Sequence, residues 1–231
     1  SLLNIVNILS SSSPEIKHVE EADTILINTF NELSGQYINT GSYEQALQYA
    51  LQANQLASSI DYKIGIANAY NNIGIINLHQ GNYENALDNY FKSLKIREKI
   101  GDKAKIAASY NNIGIVYEQQ GNYEISLDNH LKSLKIEEER ADKAGIAGSY
   151  INIGNIYLFQ GNYEKSLNNY SKSLKIFEEI GDKKGLANSY IGIGIIYYFQ
   201  NDYKNALDSY LKSLTILEEI GDKQGMAGAY E

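Results

Sequence analysis

The sequence has no cysteine, a single proline and no run of roughly 18 consecutive apolar residues. Without cysteine there is neither a disulfide framework nor a thiolate to act as nucleophile or ligand. That fits a reducing compartment, and the cytoplasm is the expected location. Without a long apolar run, no segment reads as a transmembrane helix. The opening stretch SLLNIVNIL carries no basic residue and is interrupted by Asn4 and Asn7, so it does not read as a signal peptide. Positive charge is also scarce: 20 Lys and Arg stand against 28 Asp and Glu, a net charge of −8. An acidic balance opposes binding to phosphate backbones and to anionic lipid. Neither nucleic acid nor a membrane is an expected partner.

Residues that carry chemistry are equally few. His18, His79 and His130 are isolated, with no second histidine or carboxylate at metal-ligand spacing. His130 stands where neighbouring segments have Tyr90 and Tyr170 and reads as an interhelix packing residue. His79 falls near a helix end, where a solvated surface role competes with contact to a ligand. The acidic clusters Glu137–Glu138–Glu139 and Glu178–Glu179 read as solvated helix ends. No nucleophile has a base beside it in a readable motif. The sequence points to no active site, metal or cofactor, and the expectation is a protein that is not an enzyme.

What the chain has in abundance is repetition. Tyr43, Tyr83, Tyr123, Tyr163 and Tyr203 recur every 40 residues, and Tyr70, Tyr110, Tyr150, Tyr190 and Tyr230 form a second ladder headed by Phe30. Self-similarity at such a period signals stacked supersecondary units sharing one continuous core. Each unit holds two helical patterns. Ile66, Tyr70, Ile73, Gly74 and Asn77 share one face of a 3.6-residue period, and Tyr83, Leu87, Tyr90, Phe91 and Leu94 share another.

The turns repeat too. Gly81, Gly121 and Gly161 suit a left-handed position after the first helix, each followed by an asparagine able to cap the second. At Asn201–Asp202 asparagine replaces the glycine. Gly101, Gly181 and Gly221 end the second helices ahead of an aspartate cap, whereas Ala141 takes the glycine's place and implies a tighter or slightly strained turn. Asp88–Lys92, Asp128–Lys132 and Asp208–Lys212 are i,i+4 pairs in the favourable orientation. Gly74, Gly114, Gly154 and Gly194 lie inside helices, where glycine costs about 1 kcal/mol against alanine. Their presence implies a close approach by the second helix, near the small residues Ala86, Ser126, Ser166 and Ala206.

These residues resemble the tetratricopeptide repeats. The signature runs through Tyr110, Ile113–Gly114, Tyr117, Gly121, Tyr123, Ser126 and Ser133, and again through Tyr150, Ile153–Gly154, Tyr157, Gly161, Tyr163, Ser166, Tyr170 and Ser173. The family's closing proline is missing, and 40 residues replace its usual 34. The pattern is therefore similar to the long-helix repeats of kinesin light chain, spindle-orientation adaptors and Rap-type peptide receptors. The resemblance implies an all-α, right-handed α-solenoid of stacked helix-turn-helix repeats. The expected organisation is a capping segment over 1–24 and repeats over 25–62, 63–102, 103–142, 143–182 and 183–222. A sixth repeat then begins at 223–231. A short helix over 1–9 and a helix start at Ser13–Pro14 belong to the cap. The ending suggests a fragment of a longer signalling or scaffold protein, able to self-associate through its C-terminal end.

In such arrays the first helices line a groove that holds ligands. Carried onto this sequence, the groove includes Asn28, Asn31, Asn68, Asn71, Asn72, Asn111, Asn112, Asn152, Asn155 and Asn188. Asn72, Asn112 and Asn152 form a ladder at the repeat interval. A carboxamide both donates and accepts, so a row of them can hold an extended peptide backbone. Alternatively they bond neighbouring helices, and both readings stay open here. Toward the C-terminus the groove turns apolar, through Ile151, Leu158, Phe159, Ile191, Ile195, Tyr198 and Phe199. Lysine and arginine are nearly absent from these positions, which argues against a basic clamp for a C-terminal carboxylate. The expected partner is a protein or peptide; the alternative is a structural repeat that assembles through its ends.

Overall fold

The computed structural model describes residues 16–222 and Gly225. The anticipated helix over 1–9, the Ser13–Pro14 start, the His18 side chain and Tyr230 lie outside what is described. Ten helices follow one another among the described residues: α1 (Ile16–Asn39), α2 (Tyr43–Ser59), α3 (Lys63–His79), α4 (Tyr83–Ile100), α5 (Lys103–Gln119), α6 (Tyr123–Glu139), α7 (Lys143–Phe159), α8 (Tyr163–Ile180), α9 (Lys183–Phe199) and α10 (Tyr203–Ile220). Residues up to Val116 form one compact unit and those from Tyr117 a second, the division falling inside α5.

The breaks between helices have one physical origin. A residue with positive φ stands every 20 positions, at 41, 61, 81 and so on to 221. Seven of these are glycines; the other three are Asp61, Ala141 and Asn201, at φ 56°, 53° and 62°. Ala141 thus adopts the left-handed conformation without the residue best suited to it. After the turn, aspartates cap as anticipated. Asp102, Asp142, Asp182 and Asp202 accept from the backbone N–H three residues on, at 2.9–3.2 Å. The asparagines divide: Asn162 accepts from Lys165 N–H, but Asn82 and Asn122 make no side-chain cap. A carboxylate presents two acceptor oxygens to the orphan N–H groups, an amide only one.

In the first unit α1 packs on α2 and α3, α2 on α3, and α3 on α4. Ile27, Ala53, Ala57, Ile66 and Ala69 form its core, flanked by Phe30, Leu56 and Tyr70. In the second unit α6 packs on α7, α7 on α8 and α9, α8 on α9, and α9 on α10. The mid-helix glycines make room for rings. A Cβ at Gly74 would meet Tyr90 at 2.6 Å, one at Gly154 would meet Tyr170 at 3.0 Å, and one at Gly194 would meet Tyr210 at 2.6 Å. Ala86, Ser126, Ser166 and Ala206 are buried nearby, and Ser166 donates to the Gly154 carbonyl at 2.8 Å.

The exposed face carries the anticipated ion pairs, Asp88–Lys92, Asp128–Lys132 and Asp208–Lys212, at 2.6–2.7 Å. Lys92, Lys172 and Lys212 also lie 5.0–5.7 Å from the ring centres of Tyr70, Tyr150 and Tyr190. Lys172 keeps its ring contact although Asn168 replaces the aspartate. No helix among the described residues is long and apolar enough to cross a membrane.

Candidate functional site

The anticipated asparagines of the first unit converge. Asn28 and Asn31 on α1 and Asn68, Asn71 and Asn72 on α3 line a cavity of about 320 Å³. Glu32, Arg97 and Lys105 complete its wall. The helical period explains the gathering: α1 and α3 lie side by side, and these positions recur on their common open face.

Within this wall the ladder braces helix to helix. Asn31 donates to the Gly65 carbonyl at 3.2 Å, and Asn72 donates to the Asn31 carbonyl at 2.9 Å. One repeat later Asn112 donates to Asn71 Oδ1 at 3.1 Å. The amides of Asn72 and Asn112 are therefore committed within the protein. The side chains of Asn28 and Asn68 make no hydrogen bond among the described residues, and they are the carboxamides of this wall left for an incoming molecule. Asn111 is half-buried on α5.

Sequence reasoning missed Glu32, Lys105 and, most consequentially, Arg97. The arginine comes from a second helix, α4, yet its side chain reaches the cavity. Its Nη1 donates to Ser109 Oγ at 2.7 Å, and to Asn71 Oδ1 and the Lys105 carbonyl at 3.3 Å. Burial lowers its pKa from the ordinary value, and the charge of Asp102 partly offsets this. The groove is thus not bare of basic residues, as the first-helix positions alone implied. A signal was present in the register, where Ala57, Phe177 and Leu217 are apolar and only Glu137 is also charged, so that Arg97 is the one cation.

In the second unit the anticipated residues spread out. Asn152 is half-buried on α7 and Asn188 exposed on α9. Asn155 accepts a short hydrogen bond from the Tyr170 hydroxyl. Burial raises the Tyr170 phenol and also the carboxyl of Glu118, whose charge acts on Tyr170. The ladder has no fourth asparagine because Gly192 occupies its place, and a Cβ there would meet the Tyr170 ring at 2.0 Å. Phe159 and Phe199 end α7 and α9, each 56% exposed. They stack on Tyr123 at 5.8 Å and Tyr163 at 6.5 Å, beside the turns and away from the mid-helix asparagines. His79 makes the same contact with Tyr43 in the first unit, at 5.3 Å, and is exposed at the end of its helix, as the surface reading expected.

No group of three or more acidic, histidine or cysteine side chains among the described residues is placed to hold a metal ion. A search of the curated proteins finds no match. Solved structures that resemble the chain include BtubC from P. vanneervenii, at 17% identity and TM-score 0.76, covering 96% of this chain and 92% of that one. A Rap protein complexed with competence and sporulation factor aligns at 14% identity and TM-score 0.80, over 97% of this chain and 60% of its own. A signal transduction ATPase with numerous domains and a tetratricopeptide repeat sensor, from Pyrococcus horikoshii, aligns at 20% identity and TM-score 0.70. That match covers 93% of this chain and 38% of the ATPase. At such identities the likeness is one of fold, an all-α repeat solenoid. The sequence itself matches the tetratricopeptide repeat over residues 25–99, 65–139 and 145–219, well over half its length. With the 40-residue register and the helix pairs already described, that match places the chain in the tetratricopeptide repeat family.

Proposed function

We propose that the chain is a peptide-binding module that holds an extended partner segment along its first helices, within a signalling or scaffold protein. The observation that carries this reading is the asparagine-lined cavity of the first unit, to which Asn28 and Asn68 contribute half-buried side chains. Amides satisfy the N–H and C=O groups of an extended backbone without demanding a particular side chain. A cavity of this size lies within the range of small ligand sites. The Rap structure that aligns with this chain is a complex with competence and sporulation factor, which supports the reading by likeness of fold. The aromatic run of Phe159, Tyr198 and Phe199 is the second surface we assign to partner contact, since exposed apolar patches mark interaction sites.

The test compares capture from source-cell lysate by the native chain, by an Asn28→Ala/Asn68→Ala variant and by an Asn72→Ala/Asn112→Ala variant. Circular dichroism must show all three equally helical. A partner held by the native chain and lost by the Asn28/Asn68 variant places recognition in the cavity. Equal capture by all three removes the cavity from recognition. The alternative is self-assembly in which exposed apolar side chains such as Tyr203 and Leu207 of α10, each 59% exposed, make the contacts. That reading requires a mass that rises with concentration in sedimentation and is restored to one copy by Leu207→Glu.

A further inference from the structure

Arg97 holds a register position that the other repeats fill with Ala57, Glu137, Phe177 and Leu217. Ala57, Phe177 and Leu217 are buried and apolar, and Glu137, equally buried, accepts hydrogen bonds from Ser133 and Ser149. Packing does not call for arginine. Arg97 is nevertheless only 5% exposed, and its hydrogen-bond partners among the described residues are all neutral oxygens. The charge of Asp102 acts on it without a hydrogen bond or close ion pair, and for a buried cation so weakly paired an apolar residue of similar volume is often the more stable choice. Its presence here calls for an anion that is supplied from outside.

Two further atoms point the same way. Arg97 Nε and Asn31 Oδ1 are shut off from solvent without a hydrogen-bond partner, and both side chains line the same cavity. Asn31 is 8% exposed. With Nη1 engaged by three oxygens, Nε and Nη2 are the guanidinium donors left to form a fork with an entering group. Lys105 and Glu32, both exposed, sit on the rim and cancel in charge. The lining side chains therefore carry one positive charge in excess, which the charge of Asp102 on Arg97 partly offsets, and this suits a single carboxylate better than a doubly charged phosphoryl group.

We propose that the cavity takes one carboxylate, that of an acidic side chain within an extended peptide, with Arg97 as its forked donor and Asn31 Oδ1 accepting a neighbouring backbone N–H. This deepens the groove reading and rests on it. Arginine is suited to the role because its planar fork matches a carboxylate in two parallel hydrogen bonds.

The experiment is an NMR titration of the full chain at low salt with three probes: acetylated, amidated alanyl-glutamyl-alanine, its glutaminyl counterpart, and free glutarate. Arg97→Leu, the residue this register carries at 217, and Arg97→Lys are titrated alongside, with thermal melts of each. The glutamyl peptide is expected to shift the side-chain amide signals of Asn28 and Asn68 and to bind roughly tenfold or more tighter than the glutaminyl one. That preference should vanish in Arg97→Leu and shrink in Arg97→Lys, while Arg97→Leu melts no lower than the native chain. Equal binding of the two peptides, or a preference that persists in Arg97→Leu, overturns the inference and leaves the groove reading standing. A markedly lower melt for Arg97→Leu makes the arginine structural and overturns it too. Glutarate binding as tightly as the glutamyl peptide overturns the peptide source in favour of a free dicarboxylate. Silence from all three probes overturns the carboxylate site, while the groove reading answers to its own lysate experiment.

Discussion

His130 has no exposed surface, in a register that carries tyrosine at 90, 170 and 210. Burial pushes its pKa down from 6.5 to about 4. The imidazole is therefore neutral in the folded protein at neutral pH. An unfolded chain takes up this proton below about pH 6.5, whereas the folded chain resists it until about pH 4. Stability linked to His130 is thus intact above pH 6.5 and lost as pH falls toward 4, by roughly 3 kcal/mol in all. Denaturant melts of the native chain and of His130→Tyr at pH 7 and pH 4.5 test this. The native chain should lose more stability between the two pH values than the variant does, and equal losses would contradict the burial argument. The histidine's packing role was legible in the sequence, since it stands where the register carries Tyr90 and Tyr170. Arg97 was not legible in that way. Its position belongs to a second helix, and only the packed helix pair shows a long side chain crossing to the first-helix face.

At the scale of the helix, glycine has two different meanings in α7 and α9. Gly148 has nothing within 4 Å of the place a Cβ would take, whereas a Cβ at Gly192 would meet the Tyr170 ring at 2.0 Å. That ring is buried and its hydroxyl is tied to Asn155, so it has little freedom to move aside. Helix propensity alone predicts that alanine at either position stabilises by about 1 kcal/mol. Packing reverses the sign at one of them. Gly148→Ala should raise the melting midpoint, and Gly192→Ala should cost about 1–3 kcal/mol net of its propensity gain. Two stabilising substitutions would mean that the Tyr170 ring can shift, and the end of the asparagine ladder at Gly192 would then need another cause.

Across the whole molecule the governing feature is the constancy of the register. Left-handed turn residues every 20 positions and aspartate caps at 102, 142, 182 and 222 make successive units interchangeable at their joints. Excising residues 143–182 would join Asp142 to Lys183, reproducing the Asp182–Lys183 junction already present. Because repeats interact chiefly with their neighbours, the shortened chain should still fold and melt cooperatively. Far-UV circular dichroism should fall in proportion to the length removed. Loss of all helical signal would show that the fourth repeat holds contacts that its neighbours cannot replace.

The sequence by itself determined the fold class, the register and the turn chemistry. These rest on local rules: apolar periodicity, the left-handed preference of glycine, and the acceptor oxygens of aspartate. It also named Asn28, Asn68, Asn71 and Asn72 as neighbours, because a 40-residue period puts equivalent positions of successive first helices side by side. Only the tertiary structure decided which of those amides brace the helices and which face the cavity. A carboxamide's partner depends on distances of a few tenths of an ångström that no spacing encodes. The same holds for the arrival of Arg97 in the cavity and the stacking of Phe159 and Phe199 beside the turns. Each depends on how a side chain crosses from one helix to the next.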